Sequence, residues 1–132
     1  MIRGDVYLIK FREPDKKRPA LILTRTGAIK HLNAITVIPI TTTIRDVRSQ
    51  VILDEADGME KLCVINVDNI QTISREKVGS YVTHLAEERM DEVFDAIKFA
   101  IVVRKMDDVG SRILRAMALK EIDHSSPLAS TS

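Results

Sequence analysis

Ala34-Ile35-Thr36-Val37-Ile38-Pro39-Ile40-Thr41-Thr42-Thr43 is the stretch whose reading decides the fold. From Ile35 to Ile40 it is almost wholly β-branched, which suits a buried, pleated strand and disfavours a helix. Pro39 has no N–H for a ladder, so an edge strand or a bulge is expected there. The strand then runs out into three consecutive hydroxyls. On its N-terminal side lie two more strand-like runs, Val6 to Phe11 and Ala20 to Thr24. Arg12 to Lys17, charged and carrying Pro14, reads as the exposed loop between them, and Gly27 marks a turn. On its C-terminal side follow Val51 to Leu53, an acidic turn ending at Gly58, and the apolar segments Leu62 to Val67 and Asn69 to Ile73. Five or six short strands separated by turn signals predict a mainly β domain, a small barrel or strongly bent sheet.

After His84 the period changes. Met90, Val93, Phe94, Ile97 and Ile101 recur at spacings of three and four, which predicts a helix with one apolar face. Glu87, Glu88, Asp91 and Glu92 sit in its first turns and Arg104 and Lys105 at its end, both favourable to the helix dipole. A first domain is therefore expected over residues 1–103. Residues 104–132 form a C-terminal extension: a second short helix capped by Asp107 or Asp108, then a tail without periodicity.

Composition narrows the function. Apolar residues make up 45% and charged residues 30% of the 132, so the chain is a globular domain and not a disordered one. The longest uninterrupted apolar run, Phe99 to Val103, is far short of the ~20 residues of a membrane span. With no secretory leader and a single cysteine, a cytoplasmic protein is expected. The net charge of +1 hides an asymmetry: residues 1–50 hold 10 Lys/Arg against 4 Asp/Glu, and residues 51–132 hold 10 against 15. A basic half is compatible with a phosphate-binding face and equally with ordinary solvated charge. No nucleotide loop and no zinc-ligand spacing is present, so neither cofactor nor metal is expected. Cys63 reads as a buried thiol, and His84 as a residue that caps or packs.

Three pieces remain that carry chemistry together: Arg3-Gly4-Asp5-Val6-Tyr7, Lys17-Arg18-Pro19-Ala20-Leu21-Ile22 and Val37-Ile38-Pro39-Ile40-Thr41-Thr42. With Asn66-Val67-Asp68-Asn69-Ile70-Gln71-Thr72-Ile73 and Leu85-Ala86-Glu87-Glu88-Arg89-Met90 they resemble, in order and spacing, the PemK/MazF family of toxin–antitoxin ribonucleases. The resemblance spans roughly residues 2–103. It implies a small SH3-like barrel of five to seven strands with a C-terminal helix. It further implies a homodimer, an antitoxin partner, and metal-free cleavage of single-stranded RNA to a 2′,3′-cyclic phosphate and a 5′-hydroxyl. The family's catalytic arginine, before proline in the basic loop, matches Arg18. Its catalytic threonine or serine matches Thr41, with Thr42 beside it. Asp68 matches an acidic residue that some members use, and Lys17, Arg3 and Asn66 complete the expected RNA-binding or supporting set. Independently, a guanidinium fork can hold two phosphorane oxygens, and a threonine hydroxyl can orient a phosphate. Tyr7, Phe11 and Tyr81 are candidates for stacking on bases or for the core. The chain departs from relatives at Gln71 and Asn66, where many or some carry arginine, and at Ala86, where a serine often caps the helix. Two other readings are a non-catalytic toxin of the same fold acting on a protein such as DNA gyrase, and a barrel kept only as a binding module.

Overall fold

The computed structural model describes residues 1–11 and 16–103, with side chains to Ile101. Seven strands form the sheet: β1 (Asp5–Lys10), β2 (Lys17–Ile22), β3 (Ala34–Thr41), β4 (Gln50–Leu53), β5 (Cys63–Asn66), β6 (Gln71–Ser74) and β7 (Val78–His84). A single helical turn, α1 (Thr26–Ile29), interrupts β2 and β3, and α2 (Glu87–Ile97) follows β7. Every pairing is antiparallel, in the order β4-β5-β3-β2-β1-β7, with β6 also on β3. This is the mainly β fold with a C-terminal helix that the sequence predicts. The expectations for residues 12–15 and for the extension 104–132 lie outside the described residues.

β3 organises the sheet. One of its edges pairs β2 from Val37 to Pro39, while the other pairs β6 over Ala34–Val37 and β5 over Ile40–Thr41. Of the two expectations for Pro39, an edge or a bulge, the edge does not hold: the residue lies in a central strand. Its missing N–H coincides with the break at Ile38 and Pro39, where the second edge changes partner, and no ladder bond is lost there.

The sheet is buried on both faces, which explains the continuous apolar runs of β2 and β3. Leu21, Ile38, Ile40, Val51, Leu53 and Ile65 face the main core under α2, with Met90, Val93, Ala96 and Ala100 of the helix. Ile9, Ala20, Ile22, Ile35, Val37 and Ile73 form a second, smaller core on the opposite face with Ile29 of α1. Full burial of each large aliphatic side chain contributes about 1.5–3 kcal/mol.

Two expectations change here. Ile101 was expected on the buried stripe but is 37% exposed, and Ala100 is buried instead. The α-helical period ends at Ile97, so the three- and four-residue spacing does not carry its phase to Ile101. The helix also ends not in a cap but in a widened π-helical turn, Lys98–Val103. Second, β7 has no counterpart in the sequence reading. Gly79 explains why: a Cβ there would approach the Leu8 carbonyl oxygen to 3.0 Å, and the β1–β7 register shifts between Tyr7 and Ile9. The strand needs glycine where the backbones crowd, and glycine reads as a break.

The β4–β5 loop closes onto β7 and α2 by side chains, not by a ladder. Asp54 caps the 3-10 turn Glu55–Asp57, and Gly58 follows with φ +88°. The Thr83 hydroxyl donates to the Asp57 carbonyl at 3.0 Å, and Arg89 of α2 donates through Nε to the Asp57 carboxylate at 2.9 Å. Burial pushes the Asp57 carboxyl up, but the hydrogen bonds from Arg89 and the Asp54 backbone outweigh it and hold the pKa below the ordinary value.

Candidate active site

The β2–β3 pairing brings the ends of two strands together. Its ladder runs from Ile22 with Val37 to Ala20 with Pro39. Lys17 and Arg18 lie just before that ladder on β2, and Thr41 and Thr42 lie just beyond it after Ile40 of β3.

These four residues line a groove of about 730 Å³. Leu8, Pro19, Ile40, Met59, Cys63 and Val82 supply its apolar surface. Lys16, Lys17, Arg18 and Lys61 supply positive charge, and Glu60 is the one carboxylate among the described lining residues. Arg18 is exposed, lines the groove and makes no hydrogen bond or ion pair among the described residues. Thr41 is half-buried, and its Oγ1 accepts from the Thr43 N–H at 3.3 Å. That bond fixes the hydroxyl oxygen and leaves its proton to donate. Cys63 is buried at the groove's floor, and burial, followed by the charge of Asp57, raises its pKa. Such a thiol is a poor nucleophile.

The other candidates sit elsewhere. Arg3 donates through Nε to the Leu23 carbonyl at 2.8 Å, and its guanidinium lies 5.7 Å from the centre of the Phe94 ring. Asn66 caps the Val67–Asn69 turn, its side chain accepting from the Asp68 N–H at 3.1 Å. Asp68 is exposed on that turn and does not line the groove. Nor do the candidate stackers: Phe11 packs on the second core, and Tyr7 meets Tyr81 edge-on at 5.6 Å. His84 is exposed and does not cap. Its Nδ1 lies 2.8 Å from Oδ1 of buried Asp5, while Ala86 precedes α2 with no side-chain cap. The sequence reading missed Lys16, Thr43, Met59, Glu60 and Lys61. The last three belong to a turn that joins the groove only through the Asp57 contacts, and no local pattern signals those.

A bent seven-stranded antiparallel sheet, one C-terminal helix and a cationic groove at the end of the β2–β3 pair define a small-barrel toxin architecture. The chain belongs to the family of PemK-like, MazF-like toxins of type II toxin–antitoxin systems, which matches residues 2–101. It is 37% identical over 89 residues to endoribonuclease MazF3 of Mycobacterium tuberculosis, covering 67% of this chain and 86% of that protein. The solved Mycobacterium tuberculosis toxin MazF-mt6 superposes with a TM-score of 0.68 at 34% identity, over 73% of this chain and 94% of that one. A mycobacterial endoribonuclease solved with its cognate antitoxin shares the fold at 24% identity and the same TM-score, over 76% of this chain and 94% of that one. Among the described residues no helix is long and apolar enough to cross a membrane.

Proposed function

We propose that this chain is the endoribonuclease toxin of a type II toxin–antitoxin pair, acting in the cytoplasm as a homodimer on single-stranded RNA. Residues 1–103 carry the activity and 104–132 are an extension. The observation that carries the reading is that Arg18 and Thr41, from neighbouring strands, line one cationic groove.

The chemistry follows from what the two side chains offer. The ribose 2′-hydroxyl attacks the adjacent phosphorus, the bond to the 5′-oxygen breaks, and a 2′,3′-cyclic phosphate and a 5′-hydroxyl result. Negative charge builds on the equatorial oxygens of the phosphorane. Arg18 holds two of them with its planar fork, and needs no metal to supply that charge. Thr41, its oxygen held by the Thr43 amide, donates its proton to a phosphate oxygen and orients it. Lys17 and Thr42 hold the neighbouring stretch of backbone. Arg3 and Asn66 serve the fold, as their backbone bonds indicate. The basic half of the chain, residues 1–50, would attract an antitoxin as well as RNA to the same exposed cationic groove.

The test is cleavage of a long single-stranded RNA of mixed sequence, with the 5′ ends mapped and product termini analysed. Defined cuts leaving 5′-hydroxyl ends are expected, and Thr41→Ala lowers the rate about tenfold, equivalent to about 1.4 kcal/mol, with the thermal midpoint unchanged. An intact, folded chain that cuts no RNA, or that poisons a protein target without cutting, refutes the reading.

A further inference from the structure

Glu60 stands alone. It lines a groove whose other described charged residues are Lys16, Lys17, Arg18 and Lys61, and it makes no hydrogen bond or ion pair among the described residues. Its position is fixed from both sides. Met59 before it is 7% exposed and packs in the main core, and Cys63 after it opens β5 and is buried. Behind Met59, the Asp57 bonds to Arg89 and Thr83 anchor the turn. Only Glu60, Lys61 and Leu62 span the gap between the buried anchors, so the backbone at Glu60 is tethered beside the groove.

A carboxylate on the wall of a polyanion's groove opposes backbone binding, which cations alone would serve for any RNA. Its use is discrimination: it repels what gives it no donor and rewards what does. An ionised carboxylate has two oxygens that accept and nothing that donates. Unpaired bases are read on their Watson–Crick edges. Guanine is the base with two adjacent donors there, N1–H and N2–H. Adenine and cytosine place an acceptor beside their amino group, and uracil flanks its one donor with two carbonyls. We propose that Glu60 is a specificity-determining residue that accepts both Watson–Crick donors of a guanine held in the groove beside the cleaved linkage, with Lys61 on that nucleotide's phosphate. This rests on the endoribonuclease reading above.

The experiment compares the full-length chain with Glu60→Gln, an exposed and isosteric change, on a mixed-sequence single-stranded RNA. It then uses one oligonucleotide carrying the preferred site and a second with inosine for the guanine, which removes the N2 donor. The unaltered protein is expected to prefer guanine at one fixed position by about tenfold or more, the discrimination of one bidentate pair. Inosine should cost it several-fold in kcat/KM. Glu60→Gln should lose the guanine preference and become indifferent to inosine, while cutting other sites at least as well. An unchanged profile in Glu60→Gln overturns the proposal, as does weakened antitoxin binding with an unchanged profile, which assigns Glu60 to the protein partner. A uniform fall in kcat at every site also overturns it, because Glu60 is then a base and not a reader. If the unaltered protein cuts without preferring guanine, only this proposal falls. If it cuts no RNA, the endoribonuclease reading falls with it.

Discussion

Arg3 and Arg18 stand near opposite ends of β2, and their guanidinium groups are used in opposite ways. Arg3 spends its Nε on the Leu23 carbonyl and lies over Phe94, so its geometry serves the junction of sheet and helix. Arg18 makes no such bond among the described residues and opens onto the groove beside Thr41. Arg89 is a third case. Hydrogen bonds to Asp57 and then Glu92 raise its pKa, and its fork is committed to the loop that walls the groove. The lesson is that charge alone does not nominate a catalytic arginine. What distinguishes Arg18 is a fork without a hydrogen-bond or ion-pair partner among the described residues, in a groove that Thr41 also lines.

That contrast can be broken most directly by swapping forks for point charges. Arg18→Lys keeps the charge and loses the planar geometry, so cleavage should fall at least about tenfold, and Arg18→Ala about a hundredfold, with unchanged thermal midpoints. Arg3→Lys should do the reverse: cleavage within about twofold, and a loss of about 1 kcal/mol in stability as the ring contact weakens. Rates measured at equal folded fraction and fixed salt decide, and a dead Arg3→Lys beside an active Arg18→Lys would invert the assignment.

A second test moves the groove's far wall without touching its chemistry. Gly58 has φ +88°, and an added Cβ would collide with the Thr83 side chain. Gly58→Ala should cost about 2 kcal/mol in a denaturant titration, from backbone strain together with the clash. A midpoint unchanged from the parent would show that the turn is free to move away from β7.

The smallest effect expected is a pH dependence. Because the folded state holds the Asp57 pKa below the ordinary 3.8, its contribution is fully present above that value and is lost as pH falls through the folded value. Thermal midpoints from pH 5 down to pH 2 should therefore fall less steeply in Asp57→Asn than in the parent, from a lower starting value. Parallel curves would mean that the Arg89 pair does not survive in solution.

Much of this architecture is legible in residues. The β-branched run at Ile35 to Ile40 announces β3, and the three- and four-residue spacing from Met90 announces α2, because both elements bury a face. What is hidden depends on partners distant in the chain. Pro39 looks like an edge marker until β3 is seen to change partners beside it. β7 is disguised by Gly79, whose missing side chain is demanded by the Leu8 backbone. For the site, the β2 and β3 ends could be matched to family motifs residue by residue, and the pairing of the two strands brings both ends to one groove. Glu60 and Lys61 had no such guide, since they reach the groove through Asp57, Thr83 and Arg89 in three different elements.

The pairing of β1 with β7 has a bearing on how the protein comes into being. Asp5 lies opposite His84, and the Leu85 N–H bonds the Gly4 carbonyl at 2.9 Å, so the sheet's first-made strand waits for its last. On a ribosome, β1 and β2 emerge long before β7 does, and contacts of such sequence separation belong to the slow class of folding events. Arg18 is thus translated early and its strand finds both neighbours early, but β1 beside it acquires its second neighbour only when nearly the whole domain has left the exit tunnel. An unfinished chain therefore holds β1 paired on one edge only, and the sheet is completed last along the seam between Asp5 and His84.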